Sequence, residues 1–541
     1  MNNITNLLSV TSPAVVRQRL RDSAEIALLD VREEGPFAGA HPLFAVNVPL
    51  GRIEERIGAL IPRKDAPVVV YDDGEGRTAK AVCLLQSLGY LDVTALEGGL
   101  EGWKLSGGEV FIDVNVPSKA FGELVEHVRH TPSLPAREVY ERIESGGDLV
   151  ILDARRFVEY NVMSIPGARS VPGGELALRV RDIAPSPQTT VIVNCAGRTR
   201  SIIGAQSLVN AGIPNPVFAL RNGTIGWTLE GLLLEHGAAR KGGGVSEPNL
   251  GVARAHASYL AERTGVRSIS TSVLEHLQAD PVRTVYRLDV RSPEEYAQGH
   301  PVGFRSAPGG QLVQATDEWV AVRHGTIVLT DDDGVRAQMT AHWLRQLGWN
   351  EVYVLEGWEG LSVETGPESP MLLRPLPDVA TISPAQLHER VKDDGVLVLD
   401  LASSSEFRRG HVPGARFVIR PDLVSHSDFF TADDVVLVSP DGIAAHLAAR
   451  DLAGEKKRRV HVLKGGTQAW HAAGYALESG LDAGKALSAP NDVYKRPYEG
   501  TDNAAEAMQS YLDWEFGLVA QLERDGTHSF RVLEEEISAN G

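Results

Sequence analysis

Residues 191–208 read VIVNCAGRTRSIIGAQSL and hold one of only two cysteines in 541 residues. An apolar run stops at Cys195, the loop Ala196-Gly197-Arg198-Thr199-Arg200 follows, and Ser201 opens a helical stretch. An apolar strand that passes through a short loop into an amphipathic helix is how a parallel sheet with helices on both faces is written in sequence. Such a loop lies at the carboxyl edge of the sheet, where α/β folds bind their ligands.

The passage recurs three times without its cysteine: VVVYDDGEGRTAKAVCLLQSLGY (68–90), TIVLTDDDGVRAQMTAHWLRQLGW (326–349) and VVLVSPDGIAAHLAARDLAG (435–454). Upstream of each copy, a strand ends in an acid: IALLDVREEGPF, LVILDARRFVEY, TVYRLDVRSPEEY and VLVLDLASSSEF. Downstream, a strand ends in a glycine-rich turn, as in VTALEGGLEGW and VFALRNGTIGW. A fixed order repeated four times predicts four copies of one small α/β unit. The boundaries fall at 1–112, 113–245, 246–370 and 371–485, with a helical C-terminal extension over 486–541. Stretches such as SKAFGELVEHVRH and LGVARAHASYLAERTG read as helices that clamp neighbouring units. The tail NAAEAMQSYLDWEFGLVAQLERDG reads as one more helix, ending at Gly526.

Composition narrows the function. The length allows three to five domains, each able to bury its own core. A net charge of −18 argues against nucleic acid or an anionic membrane as partner. The opening MNNITNLLSVTSPAVV lacks a basic region followed by an apolar core, so no signal peptide is expected, and no apolar run is long enough to span a bilayer. Two cysteines make no disulfide framework and suit a reducing cytoplasm. They are also too few for a cysteine-based zinc site, and the 16 histidines show no trustworthy ligand spacing.

The repeated features resemble the rhodanese (sulfurtransferase) family. Its pattern of Asp-x-Arg, an aromatic, then Gly-His-x-Pro-Gly-Ala appears piecemeal in all copies, most clearly in LDVRSPEEYAQGH and EFRRGHVPGARF, and its closing Leu-x-Gly-Gly-x-x-x-Trp is recognisable. The resemblance implies four tandem rhodanese-like domains. Aligned by sequence, Cys195 matches Asp72, Asp331 and Pro440, while Arg200 matches Arg77, Arg336 and Ala445. Only the second copy carries a nucleophile. The resemblance implies a thiosulfate sulfurtransferase in which Cys195 becomes a persulfide and passes its sulfur to cyanide or another thiol. No metal or organic cofactor is required, and the partners are a small sulfur donor and a thiophilic acceptor, with a protein acceptor also open.

The residue types suit that chemistry. Backbone N–H groups of the loop and the following helix N-terminus form a cradle for anions. Arg198 and Arg200 add positive charge to a loop that has no acid of its own, so a lowered thiol pKa is expected at Cys195. Ala196, Gly197, Arg198, Thr199, Arg200 and Ser201 are the candidate substrate-binding residues, with Gly197 supplying a backbone angle closed to side chains. The two arginines favour thiosulfate as donor over mercaptopyruvate, with Arg198 the expected holder of a dianion. Asp153 and Arg155 are supporting residues, and this Asp-x-Arg pair reads more simply as a structural ion pair. Arg221, before Asn222-Gly223 where the family often has Gly-Gly, is expected to reach the mouth of the site.

Other readings remain. A phosphatase or arsenate reductase also uses a Cys–Arg loop, but typically one residue longer than the six from Cys195 to Arg200. A sulfur-relay or scaffold protein would use its three silent copies to bind partners. Cys83 reads as helix-stripe core packing, and Trp103, Trp227 and Trp470 read as packing residues. In the silent copies, Asp72 and Asp331 are expected to fill their own anion sites, capping the helix and pairing with Arg77 or Arg336.

Overall fold

The structure is a computed structural model, and it describes residues 8–392, 396–426, 434–452, 459–500 and 502–534. The leader-free reading of the first 16 residues falls in part on residues 1–7, outside the described set.

Apolar β-branched runs form the strands of four five-stranded, wholly parallel sheets. In the second copy the order is Ser133–Leu134, Val217–Leu220, Thr190–Asn194, Leu149–Asp153 and Arg169–Ser170. The other three sheets repeat this order. An antiparallel ribbon of His300–Pro301 and Val363–Glu364 stands apart from them.

The acid closing one central strand sits beside the residue that precedes the loop on the next. Asp153 pairs with Asn194, Asp30 with Tyr71 and Asp289 with Thr330. In the fourth copy Asp400 pairs with Val438. That register corrects the sequence alignment by one residue: Ser439, not Pro440, occupies the position of Cys195, and Ala444, not Ala445, that of Arg200. The repeated bonds agree, since Thr224 N donates to Cys195 O and Thr467 N to Ser439 O.

The Asp-x-Arg motif is a buried fork in three copies. Arg32, Arg155 and Arg291 each reach back to the carboxylate two residues earlier, and each also donates to a carbonyl eight residues on, that of Ala40, Met163 or Gly299. The fourth copy has Ala402 instead of arginine. Asp400 there keeps one backbone N–H, from Ala402, while its second oxygen is buried without a partner. Burial pushes its carboxyl up to about 7. The folded state thus holds a proton that the unfolded chain releases, so stability is lost as pH rises from about 4 towards 7. Asp400→Asn should raise the unfolding temperature at pH 8 and change it little at pH 4; equal shifts at both would contradict this account.

The copies do not stand as separate beads, although the second and fourth keep cores of their own. The cores of the first and third copies are continuous with the helix Val116–Arg129 and with Leu518 and Leu522 of the C-terminal extension. Copies also pair through one equivalent segment. Gly173 and Gly174 meet Gly309 and Gly310 so closely that a Cβ on Gly174 would stand 2.9 Å from Gly310 N, and Gly51 meets Arg420 and Pro421 in the same way. The second copy thus faces the third, and the first faces the fourth.

Two expectations about helices change. The C-terminal tail forms two helices, Ala505–Phe516 and Leu518–Asp525, divided at Gly517 and closed by Gly526 at φ +59°. The break lets Met508, Tyr511 and Leu512 pack on the Cys195 loop while Leu518 and Leu522 enter the shared core. Cys83 lies on the exposed side of the helix Thr78–Ser87, because Ala81, Val82 and Leu85 turn inward and leave residue 83 facing out. It is not core. Trp103, Trp227 and Trp470 are buried, and each indole N–H donates to a carbonyl six residues on. No helix among the described residues is long and apolar enough to cross a membrane.

Candidate active site

Cys195 closes the central strand Thr190–Asn194, and the helix Thr199–Asn210 begins four residues later. That helix forms because Ala205 and Leu208 turn onto the sheet, while Ile202 faces the core shared with the helix Val116–Arg129. Its first turn starts at Thr199, two residues before the Ser201 read from sequence. Behind the loop, Thr224 N and Oγ1 both donate to Cys195 O at 2.9 Å, and Ile225 N donates to Ala196 O. Gly223 permits this approach: at φ +55°, a Cβ there would stand 2.5 Å from both Cys195 O and Gly197 O. Asn194, just before the thiol, donates from its amide to Asp153 Oδ2 at 2.9 Å. The Asp153–Arg155 fork thereby anchors the end of the strand that carries Cys195.

The thiol donates to Ser201 Oγ at 3.4 Å, and that hydroxyl donates to Arg198 O. Cys195 is 2% exposed. Covering the loop are Tyr498 and the helix Ala505–Phe516, with Met508, Tyr511 and Leu512 packed on Ala196 and Ile225. This cover overturns the expected low thiol pKa. Burial pushes the thiol up; Arg200 and the bonds from Ser201 pull it down, and Glu515 pushes it up again. Gly197 also has a different reason to be glycine. Its φ is not in the left-handed region, but a Cβ there would stand 3.1 Å from Tyr511 Cε1 and 3.3 Å from Glu515 Oε2.

The expected surplus of positive charge is cancelled by acids from other elements. Arg198 gives two bonds to Glu123, one to Glu126 and one to Asn222, and its guanidinium lies 4.2 Å from the Phe516 ring centroid. It is committed to the helix Val116–Arg129, not held free for a dianion. Arg200 makes a two-pronged pair with Glu159 at 2.9 Å. Burial opposes ionisation of Glu159, but Arg200 outweighs it and holds the carboxyl below its usual range. Arg221 is exposed and donates to Ser133 instead of reaching the loop. Thr199 points its hydroxyl at Glu515 Oε1, 3.5 Å away. Glu123, Glu159, Tyr511 and Glu515 were missing from the sequence reading. Glu159 alone had a signal, since Glu295 holds the same place in the third copy and pairs with Arg336.

In the silent copies the carboxylates do fill their loops. Asp72 accepts N–H bonds from Gly74, Arg77 and Thr78, and Asp331 from Gly334 and Ala337. Burial, with repulsion from Asp333, pushes Asp331 up. The expected ion pairs are absent there: Arg77 turns to Glu33, and Arg336 to Glu175, Glu295, Asp332 and Asp333. Asp72→Cys should therefore cost about 0.5–2 kcal/mol of the first copy's stability through the lost cap. With Asp73 and Glu75 still repelling a dianion, it should also restore no thiosulfate turnover to a Cys195→Ser protein, measured as thiocyanate; robust turnover would show that electrostatics does not silence this copy.

The Rhodanese-like domain model matches residues 12–106, 135–230, 270–362 and 383–473. The chain belongs to the rhodanese-like family. A crystal structure of thiosulfate sulfurtransferase from Pseudomonas aeruginosa is similar along the whole rhodanese array, with 53% identity, a TM-score of 0.94, and coverage of 97% of this chain and 100% of that one. A thiosulfate sulfurtransferase of Azotobacter vinelandii is 23% identical over 240 residues, 37% of this chain and 87% of its own length. The uncharacterized protein YqhL of Bacillus subtilis is 35% identical over 83 residues, 15% of this chain and 62% of its own length. This chain thus spans less than two thirds of some of its curated relatives.

Proposed function

We propose that this rhodanese is a thiosulfate sulfurtransferase whose sulfur carrier is Cys195. The observation that carries the reading is a single thiol at the start of an N–H-lined loop and a helix N-terminus, in a place where the equivalent loops hold Asp72, Asp331 and Ser439. The relatives named as thiosulfate sulfurtransferases support it.

The Cys195 thiolate attacks the outer sulfur of thiosulfate. A bond forms between Sγ and that sulfur, the S–S bond of thiosulfate breaks, and sulfite leaves with the electron pair. Cyanide then attacks the terminal sulfur of the persulfide, leaving as thiocyanate and returning the thiolate. Backbone N–H groups of residues 196–201 and the helix start stabilise charge on donor and persulfide. Arg200, pinned by Glu159, is the arginine whose field reaches the thiol. Arg198 shapes the loop. Ala196 and Gly197 give the cover a close seat, and Ser201 orients the thiol. Asp153 and Arg155 hold the strand end. The three copies without a loop cysteine serve as frame, and a cytoplasmic, reducing setting keeps both thiols free.

Thiosulfate and cyanide supplied together should yield thiocyanate and sulfite in equal amounts. Sulfite without thiocyanate, or neither product, would contradict the reading.

A further inference from the structure

The C-terminal helix brings a carboxyl group to the Cys195 loop, which lacks the aspartate that the first and third copies carry in its place. Glu515 is fully buried, one oxygen accepts the Tyr511 hydroxyl at 2.8 Å, and the other, Oε2, has no partner. That unpartnered oxygen faces Gly197, 3.3 Å from where a Cβ would stand. In the first and third copies the loop N–H groups are satisfied from within, by Asp72 and Asp331. In the second copy the residue at that position is the thiol, and a carboxyl group approaches from a separate, C-terminal element. We propose that Glu515 is a specificity-determining residue for the sulfur donor: its carboxyl group stands at the Cys195 loop where the donor's anionic end must lodge, and admits that anion only while it carries no charge itself.

The inference rests on Cys195 as the sulfur carrier, and the surroundings of Glu515 give it a measurable form. Facing it are Lys119 and Glu123 from the helix Val116–Arg129, Arg198 and Cys195 from the loop, and Tyr511 from its own helix. Lys119 is itself engaged by Asp113 at 2.7 Å and ringed by Tyr498, Tyr511 and Trp514. Arg198 is spent on Glu123 and Glu126. Both neighbouring cations are thus already committed to other acids. Burial, then repulsion from Glu123, pushes the Glu515 carboxyl up to about 8, with Lys119, Tyr511 and Arg198 pulling it down. At pH 7 the group is mostly neutral and can donate a hydrogen bond to a sulfonate oxygen. Above pH 8 it becomes a carboxylate that repels one.

The test is the pH profile of kcat/KM for thiosulfate on the full chain. If only the neutral form admits the dianion, an ionisation near 8 lowers kcat/KM about tenfold between pH 7 and pH 9 relative to Glu515→Gln, in which only the rise from ionising the Cys195 thiol remains. Glu515→Gln keeps shape and loses the charge, so it should abolish this alkaline fall, acting through KM more than kcat. Tyr511→Phe removes a bond that favours the carboxylate and should move the fall to higher pH. An alkaline fall that persists unchanged in Glu515→Gln overturns the proposal. So does a Tyr511→Phe profile that moves to lower pH, should the Gln variant fail to fold. Failure of the parent reading looks different: thiocyanate would still form in Cys195→Ser, whatever residue 515 is.

Discussion

Cys195→Ser is expected to lower thiocyanate formation from thiosulfate and cyanide by about three orders of magnitude or more, the loss typical of removing a covalent nucleophile. Serine is nearly isosteric and accepts the same surroundings, so the fold and the cover of Tyr511 and Leu512 should persist. What disappears is the thiolate, because a hydroxyl ionises far less readily and cannot hold sulfane sulfur. The exposed thiol of Cys83 makes the control necessary. Cys83→Ala should leave the rate unchanged, since its helix belongs to the first copy, whose loop is filled by Asp72. Retained activity in Cys195→Ser, lost in Cys83→Ala, would reverse the assignment.

The second large effect is on stability. Asp153 is fully buried, pairs with Arg155 through both oxygens, accepts the Arg155 backbone N–H and holds the Asn194 amide. Asp153→Ala leaves the Arg155 charge buried with only the Met163 carbonyl as acceptor. Breaking a buried pair in this way costs about 3–5 kcal/mol. Calorimetry should show a lower unfolding temperature for the second copy, and activity should fall as well, because the strand end before Cys195 loses its anchor. A change of only a few tenths of a kcal/mol would mean that Arg155 finds another partner. The fourth copy, where Asp400 has lost its arginine, shows how such a site survives: the carboxyl holds its proton towards neutral pH.

Local order was legible in the sequence. Strand–loop–helix passages repeated in constant order announced four parallel sheets, and the Asp-x-Arg spacing foretold the buried forks, whose ion pair spans two residues. Register was less secure. The sequence alignment misses Ser439 because the fourth loop lacks both landmarks, the acid and the arginine, and the pairing of Asp400 with Val438 and the bond from Thr467 N to Ser439 O settle it. Contacts distant in sequence were missed. Arg198 looked free because its acids, Glu123 and Glu126, lie 75 and 72 residues away. Glu515, 316 residues from Thr199, gave no local sign of meeting the loop. The thiol's low pKa was expected from an open loop, and the cover reversed it. Cys83 went astray through a single step of helix phase, its neighbours Val82 and Leu85 facing the core while it faced out.

The most direct test of the central claim is intact-mass and peptide mapping after brief exposure to thiosulfate without an acceptor. The account predicts one added sulfur atom per chain, located on Cys195, removed by cyanide and absent from Cys195→Ala. An added sulfur found on Cys83, or gained by Cys195→Ala to the same extent, would contradict it.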